Sequence, residues 1–352
     1  MAPVAEDKGL PWLSAGLVDL QVNGFAGHDV NGETSADEVI ALTAALAAVG
    51  TTTYLPTIIT ASAQETINSL LAVRRARAVD AATAAAVPFV HLEGPHLSDQ
   101  AGPRGVHPTA HIRPPDLEAF AQLQEQSHGL IGMMTLSPHY ESSAAFTSAL
   151  VSRGVRVAIG HTHANNAEIQ RVVKAGATLS THLGNGAHRI IPRHPNYIWS
   201  QLAEDRLTAG FIADGHHLPD ETLVSMIRAK GVERSILVSD STSVGGLPPG
   251  HYRTAVGAEV VLDDRGQLRE AEGPFLAGAA LPLIAGVSRI AAHGAFTLKE
   301  AVAMATRVPG SIIGGRGEIA TGSPADLVTF DQNESDGELH LRTVIVSGRL
   351  ND

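Results

Sequence analysis

No stretch of this sequence limits the possible folds more than Val155 to Asn185. Arg156 to Ile159 is a short apolar run, Asn166 to Lys174 has helical character, and Ala177 to Ser180 is again strand-like. That order predicts strand, helix, strand. Parallel strands need a long crossover, commonly a helix, so the two runs become neighbours or near-neighbours in one sheet. A histidine follows each run at its C-terminal end, His161 after the first and His182 after the second. Two imidazoles therefore fall on the same rim of the same sheet. Such a pair can hold a metal ion or a reactive substrate.

The alternation extends in both directions. Leu17 to Val22, Thr51 to Thr57, Pro88 to Leu92, Leu130 to Leu136, Leu207 to Ala213 and Ser235 to Val238 read as six further strands. Ala36 to Val49, with Ser35 as cap and Gly50 as stop, reads as a helix, as do Gln64 to Ala85, Asp116 to Gln126, Ser142 to Ser152 and Asp220 to Lys230. About eight strands alternating with helices predict an α/β fold, a closed (β/α)8 TIM-like barrel whose chemistry sits on the C-terminal rim. Polar residues recur at that rim: Gln21 and Asn23, Glu93, His161, His182, His217 and Asp240. A doubly wound open sheet is the competing architecture, but it would gather its ligands at one switch point instead of around a ring. Beyond the eighth strand, Tyr252 to Leu268 reads as a hairpin turning at Asp263-Asp264-Arg265-Gly266, followed by helices at Leu281 to Ala292 and Leu298 to Thr306. Short strands close the chain, at Ala325 to Phe330 and Leu339 to Ser347. The expected division is a barrel over residues 12–310 and a small β domain from 1–11 and 311–352.

Composition removes several classes of function. With no cysteine there is no disulfide and no thiolate chemistry, so a metal must be bound by nitrogen and oxygen. A formal net charge of -11 argues against a nucleic-acid-binding face and against an anionic membrane surface. No stretch approaches about 18 uninterrupted apolar residues, and Met1 to Gly9 lacks a signal-peptide core. A cytoplasmic protein is expected.

Glu93 with His161 and His182 makes a suitable set of ligands for Zn²⁺, leaving a fourth position for water. Zinc brings the pKa of such a water to near 7. Asp240, at the end of the last barrel strand, is the candidate base, and His217 could donate a hydrogen bond to a carbonyl oxygen as charge builds on it. Hydrolysis of an amide or ester follows. Each residue also has an ordinary reading: strand-end histidines are commonly structural, Glu93 could pair or cap, Asp240 could cap the turn before Thr242, and Gln21 and Asn23 could close a turn. His96, His107, His139 and His163 read equally well as loop histidines. The shared position at the ends of independent strands is what sets the group apart.

The motifs resemble those of the N-acetylglucosamine-6-phosphate deacetylases of the amidohydrolase superfamily. The matching stretches are Gly16 to Gly24 (GLVDLQVNG), His91 to Pro95 (HLEGP), Gly160 to Ala164 (GHTHA), Thr181 to Asn185 (THLGN), Ala213 to His217 (ADGHH) and Val238 to Asp240 (VSD). Gly322 to Val328 resembles the strand with which many amidohydrolases close their small β domain. The resemblance implies a metal-dependent deacetylase acting on N-acetylglucosamine 6-phosphate in amino-sugar catabolism, with the metal on Glu93, His161 and His182 and with Asp240 as general base, then acid. It implies substrate contacts from His107, Asn185, Gly186 and His217. It also implies a homodimer in which a partner-subunit arginine, matched here to Arg193, meets the phosphate. Gln21 and Asn23 stand where most of the superfamily has histidines for a second metal. Neutral amides are poor ligands, so one divalent ion per subunit is expected, zinc by default with Fe²⁺, Co²⁺ or Mn²⁺ as the other candidates.

The chain leaves the family pattern after Asn185. It reads Gly186-Ala187-His188-Arg189 and then Ile191 to Trp199, where substrate is recognised. An amidohydrolase for another N-acyl sugar or N-acyl amino acid is the second reading, and a sugar-binding barrel without turnover the third. Arg189, Arg193 and His194 suit an anionic substrate group or a solvated loop. The β segment that precedes the first barrel strand in the family is short here, so a reduced small domain built mainly from the C-terminal tail is expected.

Overall fold

The computed structural model describes residues 10–255, 257–273, 275–333 and 335–351; residues 1–9 of the expected small domain lie outside the described residues. The barrel strands are β1 (Leu17–Val22), β2 (Thr51–Ile59), β3 (Val90–Glu93), β4 (Ile131–Leu136), β5 (Arg156–Ile159), β6 (Leu179–Ser180), β7 (Thr208–Ile212) and β8 (Ser235–Val238). Each pairs in parallel with the next. The βαβ unit lies as its sequence predicts, with Ala158 opposite Leu179 and Ile159 opposite Ser180. The two ends of the sheet meet where Val22 bridges Ser241. There Asp240 N donates to Gln21 O at 2.9 Å and Asn23 N to Ser241 O at 2.9 Å. The fold is a (β/α)8 barrel.

Alternation along the strands builds two cores. In β5, Val157 and Ile159 face the helices while Ala158 faces the barrel interior; in β8, Leu237 faces out and Ile236 and Val238 face in. Val18, Leu20, Leu55, Met133 and Ile212 complete the interior layer, and Val308 and Ile313 pack on it. Helix starts are chemically marked. Asn165 and Glu168 form a capping box on Asn166–Lys174, and Ser35 accepts from Glu38 N ahead of Ala36–Ala48. The expected long helix from Gln64 to Ala85 is broken at Asp80. Its carboxylate accepts from Thr83 N and starts a new helix at Ala81.

A four-stranded antiparallel sheet stands beside the barrel, in the order Trp12–Ala15, Leu327–Gln332, Leu339–Val346, Arg349–Leu350. Trp12–Ala15, expected at the start of the barrel, belongs instead to this sheet, with Trp12 opposite Phe330 and Ala15 opposite Leu327. The switch occurs at Gly16, whose N–H donates to Asp326 O. A Cβ there would lie 2.1 Å from Thr52 Oγ1, so only glycine lets the chain turn so close to β2. Val328, Phe330, Leu339 and Val344 share a core with helix Leu283–His293, which docks the small sheet on the second half of the barrel. The Asp263–Gly266 turn is present, but three strands meet there instead of two, Gly250–Arg253, Glu259–Leu262 and Leu268–Glu270. No helix among the described residues is long and apolar enough to cross a membrane.

Asp19 holds the seam. It is 1% exposed and accepts Ser239 N–H on both carboxylate oxygens at 3.2 Å. Burial pushes its pKa from 3.8 up to about 7, against the hydrogen bonds from Ser239 and Gln21 and with the charge of Asp240. The folded chain thus binds this proton more tightly than the unfolded chain. The associated stability is complete below pH 4 and is lost as pH rises toward 7, a change of up to about 4 kcal/mol. Asp19→Asn, which mimics the protonated acid, is expected to gain on the wild type in thermal melts as pH rises from 4.5 to 8. Parallel melting curves across that range would remove this account of the seam.

Candidate active site

Three residues at strand C-termini hold left-handed backbone: His161 (φ 47°), His182 (φ 23°) and Asp240 (φ 49°). Such values are uncommon outside glycine and cost of order 1–3 kcal/mol each. Here they follow β5, β6 and β8 within two residues, where the chain leaves the sheet. Glu93 ends β3 and needs no such turn, being the last strand residue and 3% exposed.

The side chains converge. His182 Nε2 lies 3.1 Å from Glu93 Oε1 and 3.1 Å from His161 Nε2, and His161 Nε2 lies 3.3 Å from Glu93 Oε1. His161 Nδ1–H donates to Pro103 O at 2.7 Å, which leaves Nε2 as the lone-pair nitrogen turned to the cluster. Three such donors repel one another unless a positive charge stands among them. Ligand atoms about 2.0–2.2 Å from a tetrahedral ion are themselves about 3.3–3.5 Å apart, so the triangle is near the size a single ion needs. The local field favours positive charge: burial opposes an imidazolium at His182, yet the hydrogen bond and charge of Glu93 outweigh it and push the pKa up to about 9. Burial likewise opposes ionisation of Glu93, and the two imidazoles hold it well below the usual range. Among the described residues this is the one group of three or more that can hold a metal ion. His182 Nδ1 is buried without a protein partner among those residues.

The ring of His161 is clamped by glycines. A Cβ on Gly186 would lie 2.8 Å from its Nδ1, and one on Gly105 3.3 Å from its Cε1. Gly186 also has φ 55°. Gly186 therefore supports the candidate ligand His161 directly, whatever it contributes to substrate. Two loops meet around that ring, the 99–111 loop carrying Pro103 and Gly105 and the loop after His182. His188 joins them, with its ring 3.0 Å from Gln100 Oε1 and its N–H donating to the Tyr197 hydroxyl at 2.9 Å.

The neutral amides face carboxylates. Gln21 Nε2 donates to Glu93 Oε1 at 2.8 Å and Asn23 Nδ2 to Asp240 Oδ1 at 2.8 Å. Each presents an N–H donor, which repels a cation. Burial, then the charge of Glu93, push Asp240 up to about 6, with His182, Asn23 and His217 acting against the rise. His107 is 2% exposed, hydrogen-bonded through Nδ1 to Thr60 Oγ1 at 2.9 Å, with Nε2 3.8 Å from Glu93 Oε2. Burial and then His161 lower its pKa to about 3, so it sits neutral beside the cluster. His217 donates Nδ1–H to Asp214 Oδ2 at 2.7 Å. Asn185 and His161 line the same small cavity, and Asn185 Nδ2 has no partner among the described residues. Arg193, Arg189 and His194 are exposed on the loop beyond Gly186, Arg189 with its guanidinium 5.7 Å from the Phe275 ring centroid.

Sequence reasoning alone misses Asp214, Thr60, Pro103 and Gly105. Asp214 has a signal, since it follows β7 in the same rim position as the other candidates. The others act through loop contacts with residues 47 to 58 positions away, which no local pattern records.

Residues 12–350 match the family model described as Amidohydrolase family. The chain is 32% identical over 324 residues to the N-acetylgalactosamine-6-phosphate deacetylase of Shewanella sp. (strain ANA-3), covering 92% of this chain and 80% of that protein. It is 30% identical over 365 residues to the N-acetylglucosamine-6-phosphate deacetylase of Bos taurus, covering 99% and 86%. Among solved structures it superposes on an N-acetyl-D-glucosamine-6-phosphate deacetylase variant from Mycobacterium smegmatis in complex with N-acetyl-D-glucosamine-6-phosphate. The TM-score is 0.88, at 27% identity over 100% of this chain and 90% of that one. The corresponding enzyme of Thermotoga maritima gives a TM-score of 0.84 at 27% identity, covering 97% and 88%. With the motifs in family order, the barrel, and the buried Glu-His-His group on its rim, the chain belongs to the amidohydrolase family, in the branch of the N-acetylglucosamine-6-phosphate deacetylases.

Proposed function

We propose that this protein is a metal-dependent deacetylase that hydrolyses the N-acetyl group of an amino-sugar 6-phosphate, with N-acetylglucosamine 6-phosphate as the first substrate to test. The observation that carries the reading is the triangle of Glu93 Oε1, His161 Nε2 and His182 Nε2, with Asp240 set near it where β8 closes the barrel. A divalent ion held there, zinc by default for this donor set, supplies polarisation of the acyl carbonyl and a lowered pKa for water. Asp240 takes a proton from the attacking water and passes it to the departing amine. Asn23 holds one oxygen of Asp240, which leaves the other for the proton. His217 hydrogen-bonds the substrate, stabilising the carbonyl oxygen as charge develops or gripping the sugar. His107, Asn185 and Gly186 line the sugar side. Arg193 reaches a phosphate from the partner subunit of a homodimer, with Arg189 and His194 as further cationic contacts. Gln21 and Asn23 serve the two carboxylates instead of a second ion.

A second substrate has its own support. The Shewanella relative is named for the galacto epimer, and the segment from Gly186 to Trp199 departs from the family pattern. Acetate release from N-acetylglucosamine 6-phosphate, N-acetylgalactosamine 6-phosphate and both unphosphorylated sugars decides between them. The expected result is turnover of a 6-phosphate well above its unphosphorylated parent; equal rates with and without phosphate would defeat the phosphosugar assignment.

Metal analysis after dialysis is expected to find one divalent ion per chain, and two stoichiometric ions would defeat the single-metal reading. Asp240→Asn should keep that ion while acetate release falls by roughly 10²–10⁴-fold. Gly186→Ala, which drives a methyl group into the His161 ring, should lower bound metal below one per chain. Full metal retention in that variant would show that the clamp is not needed.

A further inference from the structure

We propose that Asp214 is a positioning residue that acts through His217, fixing the proton of that imidazole on Nδ1 so that Nε2 is the nitrogen that meets substrate. The inference rests on the role given above to His217, and assigns what sets that role. Asp214 follows β7 and is 9% exposed. Its two oxygens are divided between two tasks. Oδ1 accepts the backbone N–H groups of His216 at 2.8 Å and His217 at 2.9 Å, which shapes the turn. Oδ2 accepts from His217 Nδ1 at 2.7 Å, a charge-assisted distance. An ionised carboxylate only accepts, so Nδ1 must carry a proton. Burial opposes that charge, but His217 and the two backbone donors hold the pKa of Asp214 down at about 2.

With Nδ1 committed, Nε2 is the one ring nitrogen free for anything else. It accepts from a substrate hydroxyl when the ring is neutral. When the ring is protonated, Nε2–H donates to a substrate oxygen with the carboxylate balancing its charge. Asp214 stands two residues past β7 and Asp240 two residues past β8, the strand paired with it, so the turn that carries His217 and the candidate base occupy neighbouring positions on the rim. The turn is braced from behind: Arg289, paired with Asp220 through bonds of 2.9 and 3.0 Å, packs on Gly215, where a Cβ would lie 2.4 Å from the guanidinium carbon. The ring is thus held by side chains that need not touch substrate.

Asp214→Asn separates the two tasks. The amide oxygen can keep both backbone N–H bonds, while its NH₂ faces Nδ1 and demands a lone pair there. The His217 tautomer inverts, Nε2 loses its lone pair, and a protonated ring loses its counter-charge. The metal-loaded full-length enzyme is compared as wild type, Asp214→Asn, His217→Asn and the double variant. Acetate release from N-acetylglucosamine 6-phosphate and melting temperature are measured for each, and ¹⁵N NMR of the His217 ring, assigned by its absence in His217→Asn, reads the tautomer. We expect Nδ1–H in the wild type and its inversion in Asp214→Asn. With melting temperature little changed, kcat/KM should fall by at least about 10²-fold. The double variant should be no slower than His217→Asn alone. Losses that multiply in the double variant, or a neutral Nε2–H tautomer in the wild type, would overturn the proposal. Wild-type activity in His217→Asn would instead remove the role given to His217, and the NMR result would still decide whether Asp214 sets its tautomer. If Asp214→Asn fails to fold, the wild-type spectrum alone carries the test.

Discussion

Eight parallel strands form a barrel only if the first meets the last, and in this chain the two ends are joined around one buried acid. Asp19 sits in β1 and accepts the N–H of Ser239 just past β8. Around it, Gln21 O accepts from Asp240 N, and Val22 bridges Ser241. The seam joins residues more than 200 positions apart and sets Asp240 on the same rim as Glu93, His161 and His182. Without closure Asp240 would lie at the far edge of an open sheet, several strands from the imidazoles. The chemistry of the rim is in this sense a property of the ring.

The same constraint explains the strained turns. Strands that end at a common rim project their last residues along the barrel axis, and a residue that must turn inward leaves ordinary backbone space. His161, His182 and Asp240 do so with positive φ. The cost is met by contacts that over-determine each position: Pro103 and two glycines around His161, Glu93 on His182, Asn23 and the seam on Asp240. Polar order in this region runs deep. Gln21, His107 and Asp214 each touch a candidate ligand or reacting group and are themselves buried, so the rim is pre-organised before any substrate arrives.

The loops divide the labour differently. The 99–111 loop supports His161 and carries His107, while the 184–199 loop supports His161 through Gly186 and then runs out into solvent with Arg189 and Arg193. His188 ties the two together. The departure from the family pattern begins at Gly186, the residue packed on the His161 ring, and continues into the part of the loop that faces solvent.

What the sequence determined by itself was the set of elements and the residues at their ends. Short apolar runs alternating with helical segments, a helix cap such as Ser35, and polar strand ends are local signals, readable because strand and helix character and capping at a helix start depend on a few neighbouring residues. The candidate ligands Glu93, His161 and His182 and the candidate base Asp240 are therefore legible in the order of residues along the chain. The tertiary structure decided which elements share a sheet and which side chains share a proton. Trp12–Ala15 left the barrel because Gly16 turns it onto the C-terminal tail, more than 300 residues away in sequence. The clamp on His161, the donors on Glu93 and Asp240, and the bond from His217 to Asp214 follow from distances set by closure of the whole chain, and no local pattern encodes those.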